Sequence, residues 1–231
     1  FMGAGSTVFA KNVLGDCLLC DGIKNDIEIV LYDIDAQRLD DSYQLICALN
    51  RKYNDNKATV KSYCGVENRK EALRGAGFVI NAVQIGGYEP STVIDFEIPK
   101  KYSLRQTIAD TLGIGGIFRA LRTIPVMQDF ATDMEEVCPD AWLLNYTNPM
   151  AMLSNYMQRF TGVKTVGLCH SVQVCTKDLF RNLDYPVENY TEKIAGINHM
   201  AWLLEIKDKD GNDLYPKIRE LAAKKNAEEK H

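Results

Sequence analysis

Short apolar runs alternate along this chain with longer segments in which apolar residues recur at helical spacing. A short run with few polar positions is typical of a strand buried on both faces of a sheet, and a stripe such as Leu39, Tyr43, Ile46 is typical of an amphipathic helix. We predict strands at residues 27–32, 58–63, 77–83, 142–145, 165–168 and 193–197. We predict helices at residues 35–53, 68–74 and 116–137, and we expect Pro125 to bend or interrupt the last of them.

This alternation predicts an α/β fold with a doubly wound parallel sheet and helices on both of its faces. Ligands of such sheets bind beyond the carboxyl ends of the strands, so residues that follow strands are the first candidates for a site. Further along, residues 202–206 predict a strand that enters a tight turn at 207–212, and the charged segment 217–231 predicts a helix.

Bulk composition narrows the class of protein. Of 231 residues, 46% are hydrophobic and 25% are charged, which is ordinary for a globular protein. The net charge of -4 offers no basic surface for nucleic acid, and no apolar run approaches the ~20 residues that span a bilayer. Without a visible secretory signal, seven cysteines predict free thiols in a reducing cytoplasm. Cys17 and Cys20 have the spacing of a redox pair or half a zinc site, but a packed pair of small apolar residues is the simpler reading.

A glycine loop at residues 3–7 is the first candidate site. Gly3 and Gly5 lack a Cβ and can let the backbone approach a pyrophosphate, and Ser6 and Thr7 can add hydroxyl donors. Asp33 ends the next predicted strand, where a carboxylate can bind the ribose hydroxyls of NAD and repel the 2′-phosphate of NADP. The alternative is an ordinary turn with a helix-capping Asp. The combination favours a Rossmann-like sheet that binds a dinucleotide.

A thiol and an imidazole follow two later strands. Cys169 comes after the strand at 165–168, and His199 comes after the strand at 193–197. Two protein ligands would leave open positions on a metal, which suits a catalytic site whose shell is completed by substrate oxygens. The alternative is an inert buried thiol and a satisfied core histidine.

Polar residues follow other strand ends. Residues 145–149, Asn-Tyr-Thr-Asn-Pro, carry amides that can bind sugar hydroxyls or nicotinamide, or that form a turn capping the next helix. Residues 110–116 form a second glycine-rich loop with an acid, Asp110. Arg119 and Arg122 follow on one helix, and an exposed basic face is an equally plausible role for them.

Together these segments resemble the family 4 glycoside hydrolases, and most closely the α-galactosidase branch of that family. The segments that carry the resemblance are FMGAGSTVFAKNVLGD, VQIGGYEPSTV, QTIADTLGIGGIFRALRTIP, NYTNPMAM, VGLCHSVQ and AGINHMAW. They run in order from residue 1 to about residue 216, which covers nearly all of this chain but only the amino-terminal half of the family's length.

The resemblance implies an enzyme that uses NAD and a divalent metal, usually Mn²⁺, to cleave an α-galactoside. In that mechanism the sugar is oxidised at C3, the metal assists deprotonation at C2, the leaving group is eliminated, and water addition and re-reduction follow. It implies metal ligation by Cys169 and His199, substrate binding by Asn148 and Arg119, and catalytic roles for His170 and Asp110. His170 would stand where some relatives place a proton donor, and Asp110 where an acid tunes the catalytic tyrosine. The implied NAD contacts are Gly3, Gly5, Ser6, Thr7, Asp33, Asn81, Gln84 and Asn145.

The same resemblance implies two domains and an assembly. We expect a NAD-binding domain at 1–196 and the start of an α+β substrate domain at 197–231, with the catalytic tyrosine in a second half that this chain lacks. Relatives imply a dimer or tetramer and a small α-glycoside as the only other partner, without nucleic acid or membrane. The loops do not distinguish galactoside, glucoside and galacturonide. Two rival functions stay open: an NAD-dependent dehydrogenase of a hydroxy acid or sugar, and a catalytically silent module that binds NAD or senses a sugar.

Overall fold

The computed structural model describes residues 1–105 and 111–228, in two compact units, Phe1–Leu168 and Cys169–His231. In the first unit the helices are α1 (Thr7–Leu19), α2 (Ala36–Asn54), α3 (Arg69–Leu73), α4 (Val93–Lys100), α5 (Gly113–Val137) and α6 (Met150–Phe160). Its strands are β1 (Glu28–Asp33), β2 (Thr59–Cys64), β3 (Phe78–Asn81), β4 (Trp142–Asn145) and β5 (Lys164–Gly167). The second unit contains α7 (Ser171–Asn182), β6 (Thr191–Ile197), β7 (Met200–Lys207) and α8 (Tyr215–Glu228).

The first unit is built on a parallel sheet, as predicted. β1 pairs with β2, and β3 pairs with β4, which pairs with β5, all in parallel. Met2 joins the two groups, because it forms parallel bridges to both Tyr32 and Asn81. Its N–H donates to the Ile80 carbonyl at 2.8 Å, and its own carbonyl accepts from the Ala82 N–H at 2.9 Å. Met2 therefore occupies a strand position between β1 and β3, at the point where the strand order reverses.

Both faces of this sheet are covered by helices. Successive residues of a strand point to opposite faces. In β1, Ile29 and Leu31 pack in a cluster with α1 and α2, whereas Tyr32 packs in a cluster with residues of α5 and α6. Because each fully buried aliphatic side chain contributes about 1.5–3 kcal/mol, these two clusters hold the sheet between its helical layers. The predicted doubly wound, Rossmann-like α/β class is confirmed.

Helix α5 corrects one expectation. It runs without interruption from Gly113 to Val137 with Pro125 inside, so of the expected bend or interruption, the interruption is wrong. A proline removes the donor to the carbonyl four residues earlier, which belongs to Leu121. Leu121 is 65% exposed, so water can satisfy that carbonyl.

The second unit corrects an expectation about the strand predicted at residues 193–197. Residues 193–197 were expected to join the parallel sheet, but β6 pairs antiparallel with β7 in a sheet of their own. The two strands are joined by a two-residue turn, Asn198 and His199. The strand residues of this hairpin pack, with α7 and α8, on a small core of Phe180, Ile206, Leu214 and Ile218. Among the residues that the structure describes, no helix is both long and apolar enough to cross a membrane.

Candidate active site

The glycine loop folds tightly against the ends of β1 and β3. Gly3 has φ +86°, and a Cβ on it would lie 2.8 Å from the Ala82 carbonyl carbon and oxygen. Gly5 donates its N–H to Asp33 Oδ2 at 2.6 Å, and a Cβ on Gly5 would lie 2.8 Å from the same oxygen. Both positions therefore have no room for a side chain, which explains why glycine stands at each of them.

Asp33 and Asp35 have different roles. Asp33 accepts from the Gly5 N–H through Oδ2 and from the Asp35 N–H through Oδ1, at 3.0 Å. Asp35 caps α2 by accepting the Arg38 N–H at 3.1 Å. The helix-capping carboxylate is thus Asp35. Each oxygen of Asp33 keeps a lone pair that can accept a further donor such as a ribose hydroxyl.

A cleft of about 740 Å³ opens beside this loop. Of the predicted cofactor residues, it is lined by Gly3, Ser6, Asp33 and Gln84. Thr7 is directed elsewhere, because its hydroxyl lies 3.1 Å from the Ser42 hydroxyl of α2. Such a volume, at the carboxyl ends of parallel strands and at the reversal of strand order, suits a cofactor.

Two arginines that the sequence analysis did not single out also line the cleft. Arg69 is 8% exposed; its Nε donates to Asp133 at 2.5 Å, and its guanidinium lies 5.2 Å from the centre of the Phe130 ring. Arg38 donates through Nε to the Gly5 carbonyl at 3.2 Å. A cation in the first turn of α2, where the helix dipole favours negative charge, is the signal in the sequence that could have identified it.

Asn81 and Asn145 end neighbouring strands and are both fully buried. The Asn81 amide donates to Asn145 Oδ1 at 3.0 Å, and that oxygen also accepts the Thr147 N–H at 3.1 Å. The Asn145 amide donates to the Thr147 carbonyl and the Ser154 hydroxyl, both at 3.2 Å. Thr147 in turn donates through its hydroxyl to the Val83 carbonyl at 3.1 Å. This amide network ties the loop after β3 to the loop after β4, and neither asparagine lines the cleft.

The remaining predicted residues of the first unit are placed as follows. Asn148 is half-buried, and its Oδ1 accepts the Met150 N–H at 3.3 Å at the start of α6. Arg119 is 8% exposed, so an exposed basic face is wrong for it. Arg122 forms a two-point ion pair with the fully buried Asp95, at 3.0 and 2.6 Å, and the hydrogen bonds that it donates to this carboxylate raise the pKa of Arg122. Asp110 lies outside the described residues.

Cys169 lies in the second unit, two residues before Ser171, the first residue of α7. Its sulfur accepts the Ser171 N–H at 3.4 Å and lies 3.2 Å from the Ser171 hydroxyl. His170, between them, is exposed and begins α7, since its carbonyl accepts the N–H groups of Gln173 and Val174. The Cys169 thiol itself donates to that hydroxyl, so Ser171 fixes the sulfur through both of its polar groups at the start of α7.

His199 lies in the same unit, in the β6–β7 turn. Its φ is +61°, a left-handed backbone conformation that residues other than glycine rarely adopt. The adjacent Asn198 has a buried Oδ1 with no hydrogen-bond partner among the described residues. A sparsely populated backbone conformation held beside an unsatisfied polar atom is a feature of functional turns.

No complete metal cage exists among residues 1–105 and 111–228. No group of three or more His, Cys, Asp and Glu side chains there is placed to hold an ion. Any metal bound by Cys169 and His199 would therefore draw its other ligands from elsewhere. All seven cysteines are free thiols, including Cys17 and Cys20.

The crowding at Gly5 gives a first prediction. Gly5→Ala should lower the free energy of unfolding by about 1–3 kcal/mol, because the new methyl group must displace the Asp33 carboxylate or the Arg38 side chain. Chemical denaturation followed by circular dichroism measures this change. Gly22→Ala is the matched control, since a Cβ there meets no atom within 4 Å. Equal stability of the two variants would contradict the proposed fit of the loop.

Comparison with known protein families yields matches along almost the whole chain. The profile described as "Family 4 glycosyl hydrolase" matches residues 1–185, and that of the family's C-terminal domain matches residues 194–231. An α-galactosidase of Bacillus subtilis (strain 168) is 63% identical over 231 residues, which are 100% of this chain and 52% of that protein. An α-galacturonidase of Thermoanaerobacterium saccharolyticum is 34% identical over 93% of this chain and 47% of its own length. The chain thus spans about half the length of these curated relatives.

Solved structures agree on the fold. A 6-phospho-α-glucosidase from gut microorganisms, in complex with NAD and glucose-6-phosphate, matches with a TM-score of 0.78 and 25% identity over 95% of this chain and 48% of its own. A 6-phospho-β-glucosidase from Thermotoga maritima, with manganese, NAD⁺ and glucose-6-phosphate, has a TM-score of 0.79 and 23% identity, over 95% of this chain and 50% of its own. The second likeness shows the fold alone.

Proposed function

Because the chain belongs to family 4 of the glycosyl hydrolases, we propose that the whole protein is a glycosidase that cleaves α-galactosides with NAD and a divalent metal, Mn²⁺, as cofactors. The observation that carries the proposal is the 63% identity to an α-galactosidase along the entire chain. The other relatives named above act on different sugars, so the galactoside specificity rests on this identity. The cleft and the sulfur site add independent physical support.

The cleft fits a dinucleotide. Gly3 and Ser6 line the cleft, and the backbone there lies at the amino-terminal end of α1, where a helix dipole favours phosphate. Asp33 is positioned by two backbone N–H groups and keeps lone pairs for ribose hydroxyls. The glycine loop and the acid at the strand end also led to the prediction that Gly3, Gly5, Ser6 and Asp33 contact the cofactor. We propose that these four residues and Gln84 have that role.

The residues around Cys169 fit a metal ligand. The Cys169 sulfur accepts the Ser171 N–H, a contact that would orient it as a metal ligand, and His199 can supply a ring nitrogen. We propose that these two side chains hold the metal and leave open positions for sugar oxygens. Manganese prefers oxygen ligands, which the substrate would have to supply.

The chemistry then divides between the cofactors and the chain. When bound, NAD would take a hydride from C3 of the sugar and the metal would act as a Lewis acid on the resulting ketone, so that the C2 proton becomes acidic. Asn148 would bind a sugar hydroxyl, and His170, which is exposed, would donate a proton to the leaving oxygen. For Asp110 and Arg119 we keep the roles that the family implies, tuning the catalytic base and binding substrate.

The amide network changes the proposed role of two residues. Asn81 and Asn145 are fully buried and bonded to each other, so they support the loops at the cleft rather than contact NAD directly. We propose that they position Val83 and Thr147, and through these the neighbouring Gln84 and Asn148. Thr7, which bonds to Ser42, likewise supports the loop from behind.

The elimination route predicts an isotopic result. The full-length protein should release galactose from p-nitrophenyl α-galactoside in the presence of NAD, Mn²⁺ and a thiol reductant. In D₂O the product should carry deuterium at C2, because the C2 proton is removed during each turnover and returned from solvent. Proton NMR of the released sugar measures this exchange. Complete retention of protium at C2 would exclude the elimination mechanism, and hydrolysis of a β-galactoside or a galacturonide instead would exclude the proposed substrate.

The two rival functions are separated by the same assay. A plain dehydrogenase would share the glycine loop and Asp33, but it would keep its activity in the presence of a chelator. A silent module would bind NAD tightly without turnover of any aryl glycoside. The N–H that the Cys169 sulfur accepts and the left-handed backbone of His199 in its turn favour the metal-dependent enzyme over both rivals.

The location, the oligomeric state and the partners of the protein are also proposals. Free thiols at all seven cysteines support a reducing, cytoplasmic location. We propose a dimer or tetramer on the basis of family membership, and the net charge of -4 supports a partner other than nucleic acid. Light scattering of the full-length protein measures the assembly.

A further inference from the structure

The cofactor cleft contains a cation, Arg38, that forms no ion pair with any of the described residues. Arg69 is paired with Asp133 at 2.5 Å. Arg38 donates through Nε to the Gly5 carbonyl, but it forms no ion pair within residues 1–105 and 111–228. Its two terminal nitrogens therefore remain available to a ligand, and a guanidinium presents them in a geometry that matches a phosphate.

The place of Arg38 on its helix is unfavourable for a cation. α2 begins at Ala36, so Arg38 lies in the first turn, where the helix dipole favours negative charge. The other cations near an end of this helix, Arg51 and Lys52, lie in the last turn, where the dipole favours them. Helix stability thus does not account for a cation at position 38, whereas an anion bound in the cleft would.

Arg38 and Asp33 flank the same residue of the glycine loop. A Cβ on Gly5 would lie 2.8 Å from Asp33 Oδ2 and 3.1 Å from Arg38 Cβ. Both side chains line the cleft. At this strand end a carboxylate accepts the ribose 2′-hydroxyl of NAD, whereas an arginine accommodates the 2′-phosphate of NADP. The cleft therefore contains, next to each other, a carboxylate that favours NAD and an arginine that favours NADP.

We propose that Arg38 is the cation of a ribose 2′-phosphate subsite, which the negative charge of Asp33 keeps closed to NADP. The inference rests on the proposed binding of NAD to this cleft. Arg38 is then a determinant of cofactor specificity. Removal of the negative charge of Asp33 should allow NADP to bind in the cleft.

The experiment compares NADH and NADPH binding to the 231-residue chain by the change in nicotinamide fluorescence. Asp33→Asn keeps the shape of the side chain but replaces one carboxylate oxygen with an amide nitrogen. In the unaltered chain each of these oxygens accepts a backbone N–H, so the affinities for both dinucleotides can fall. The readout is therefore the ratio of the two dissociation constants. Asp33→Asn should shift this ratio toward NADPH by about 10–100-fold, the effect of one or two hydrogen bonds to a charged group.

The cation is tested on the same background. Asp33→Asn/Arg38→Gln should lose most of the shift, while Asp33→Asn/Arg38→Lys should keep part of it, because the charge is retained without the fork geometry. Asp33→Asn/Arg51→Gln removes the same charge from the far end of α2 and should keep the full shift. An equal shift with and without Arg38 would overturn the inference while NAD binding stands. Failure of the unaltered chain to bind either dinucleotide would overturn the NAD proposal and the inference with it.

Discussion

Asn145→Ala should lower the free energy of unfolding by about 3–5 kcal/mol, a large part of the stability of an ordinary domain. Its side chain makes four hydrogen bonds in a fully buried position, to the Asn81 amide, to both backbone groups of Thr147 and to the Ser154 hydroxyl. Truncation leaves the Thr147 N–H and carbonyl without these partners, and each buried unsatisfied group costs about 1–3 kcal/mol. Asn81 would also lose the acceptor of its amide, while its buried Oδ1 has no partner among the described residues, so the loss extends to a second buried side chain.

Urea denaturation followed by circular dichroism measures the change, and Thr132→Ala provides the control. Thr132 is exposed on α5, and its hydroxyl bonds only to the Gln128 carbonyl within the same helix, so its loss should cost less than about 0.5 kcal/mol. A loss below about 1 kcal/mol for Asn145→Ala would show that the network does not support the two strand ends. Such a result would restore Asn145 as a candidate for direct contact with NAD.

The sequence was sufficient for the parallel sheet because strands buried on both faces leave a local signal. The run at 142–145 predicts β4 to the residue, and the stripe through Leu39 and Ile46 predicts α2 to within one residue at each end. The glycine loop and Asp33 were also accessible, since a turn without room for a Cβ and an acid at a strand end both depend on residue type at fixed positions.

The pairing partner of β6 was less accessible. Residues 193–197 have the same apolar character as the parallel strands, and only the tertiary structure shows that β6 turns back through Asn198 and His199 to pair with β7. A turn with a positive φ usually carries glycine or asparagine at that position, so His199 gave no turn signal. Similarly, amides can face a ligand or each other, and the sequence could not distinguish these arrangements for Asn81 and Asn145. Their burial follows from contacts between residues that are 64 positions apart.

Cys169→Ser should weaken Mn²⁺ binding by about 100-fold or more, because each ligand of a metal site carries several kcal/mol of its binding free energy and a serine hydroxyl does not ionise readily. Affinity for NADH should change by less than about 3-fold, since Asp33 and the glycine loop belong to the other compact unit and a lost metal ligand leaves their hydrogen bonds in place. Titration calorimetry with Mn²⁺ and fluorescence titration with NADH measure the two affinities on the same preparation. Equal losses of both would indicate general unfolding rather than loss of a ligand.

Ser171→Ala tests the hydrogen-bond partner of Cys169 while the proposed metal ligand itself is kept. It keeps Cys169 and the Ser171 N–H but removes the hydroxyl, which accepts from the Cys169 thiol at 3.2 Å and would turn to donate to a metal-bound sulfur. Loss of a hydrogen-bond partner of a metal ligand typically lowers metal affinity by about 10–100-fold. Cys175→Ser removes an exposed thiol of the same helix and should leave metal affinity unchanged. With Co²⁺ in place of Mn²⁺, a sulfur-to-metal charge-transfer band should be present in the unaltered chain and in Cys175→Ser, and absent in Cys169→Ser. A band that persists in Cys169→Ser would assign the metal to a different thiol, because the hydroxyl of serine cannot give that transition.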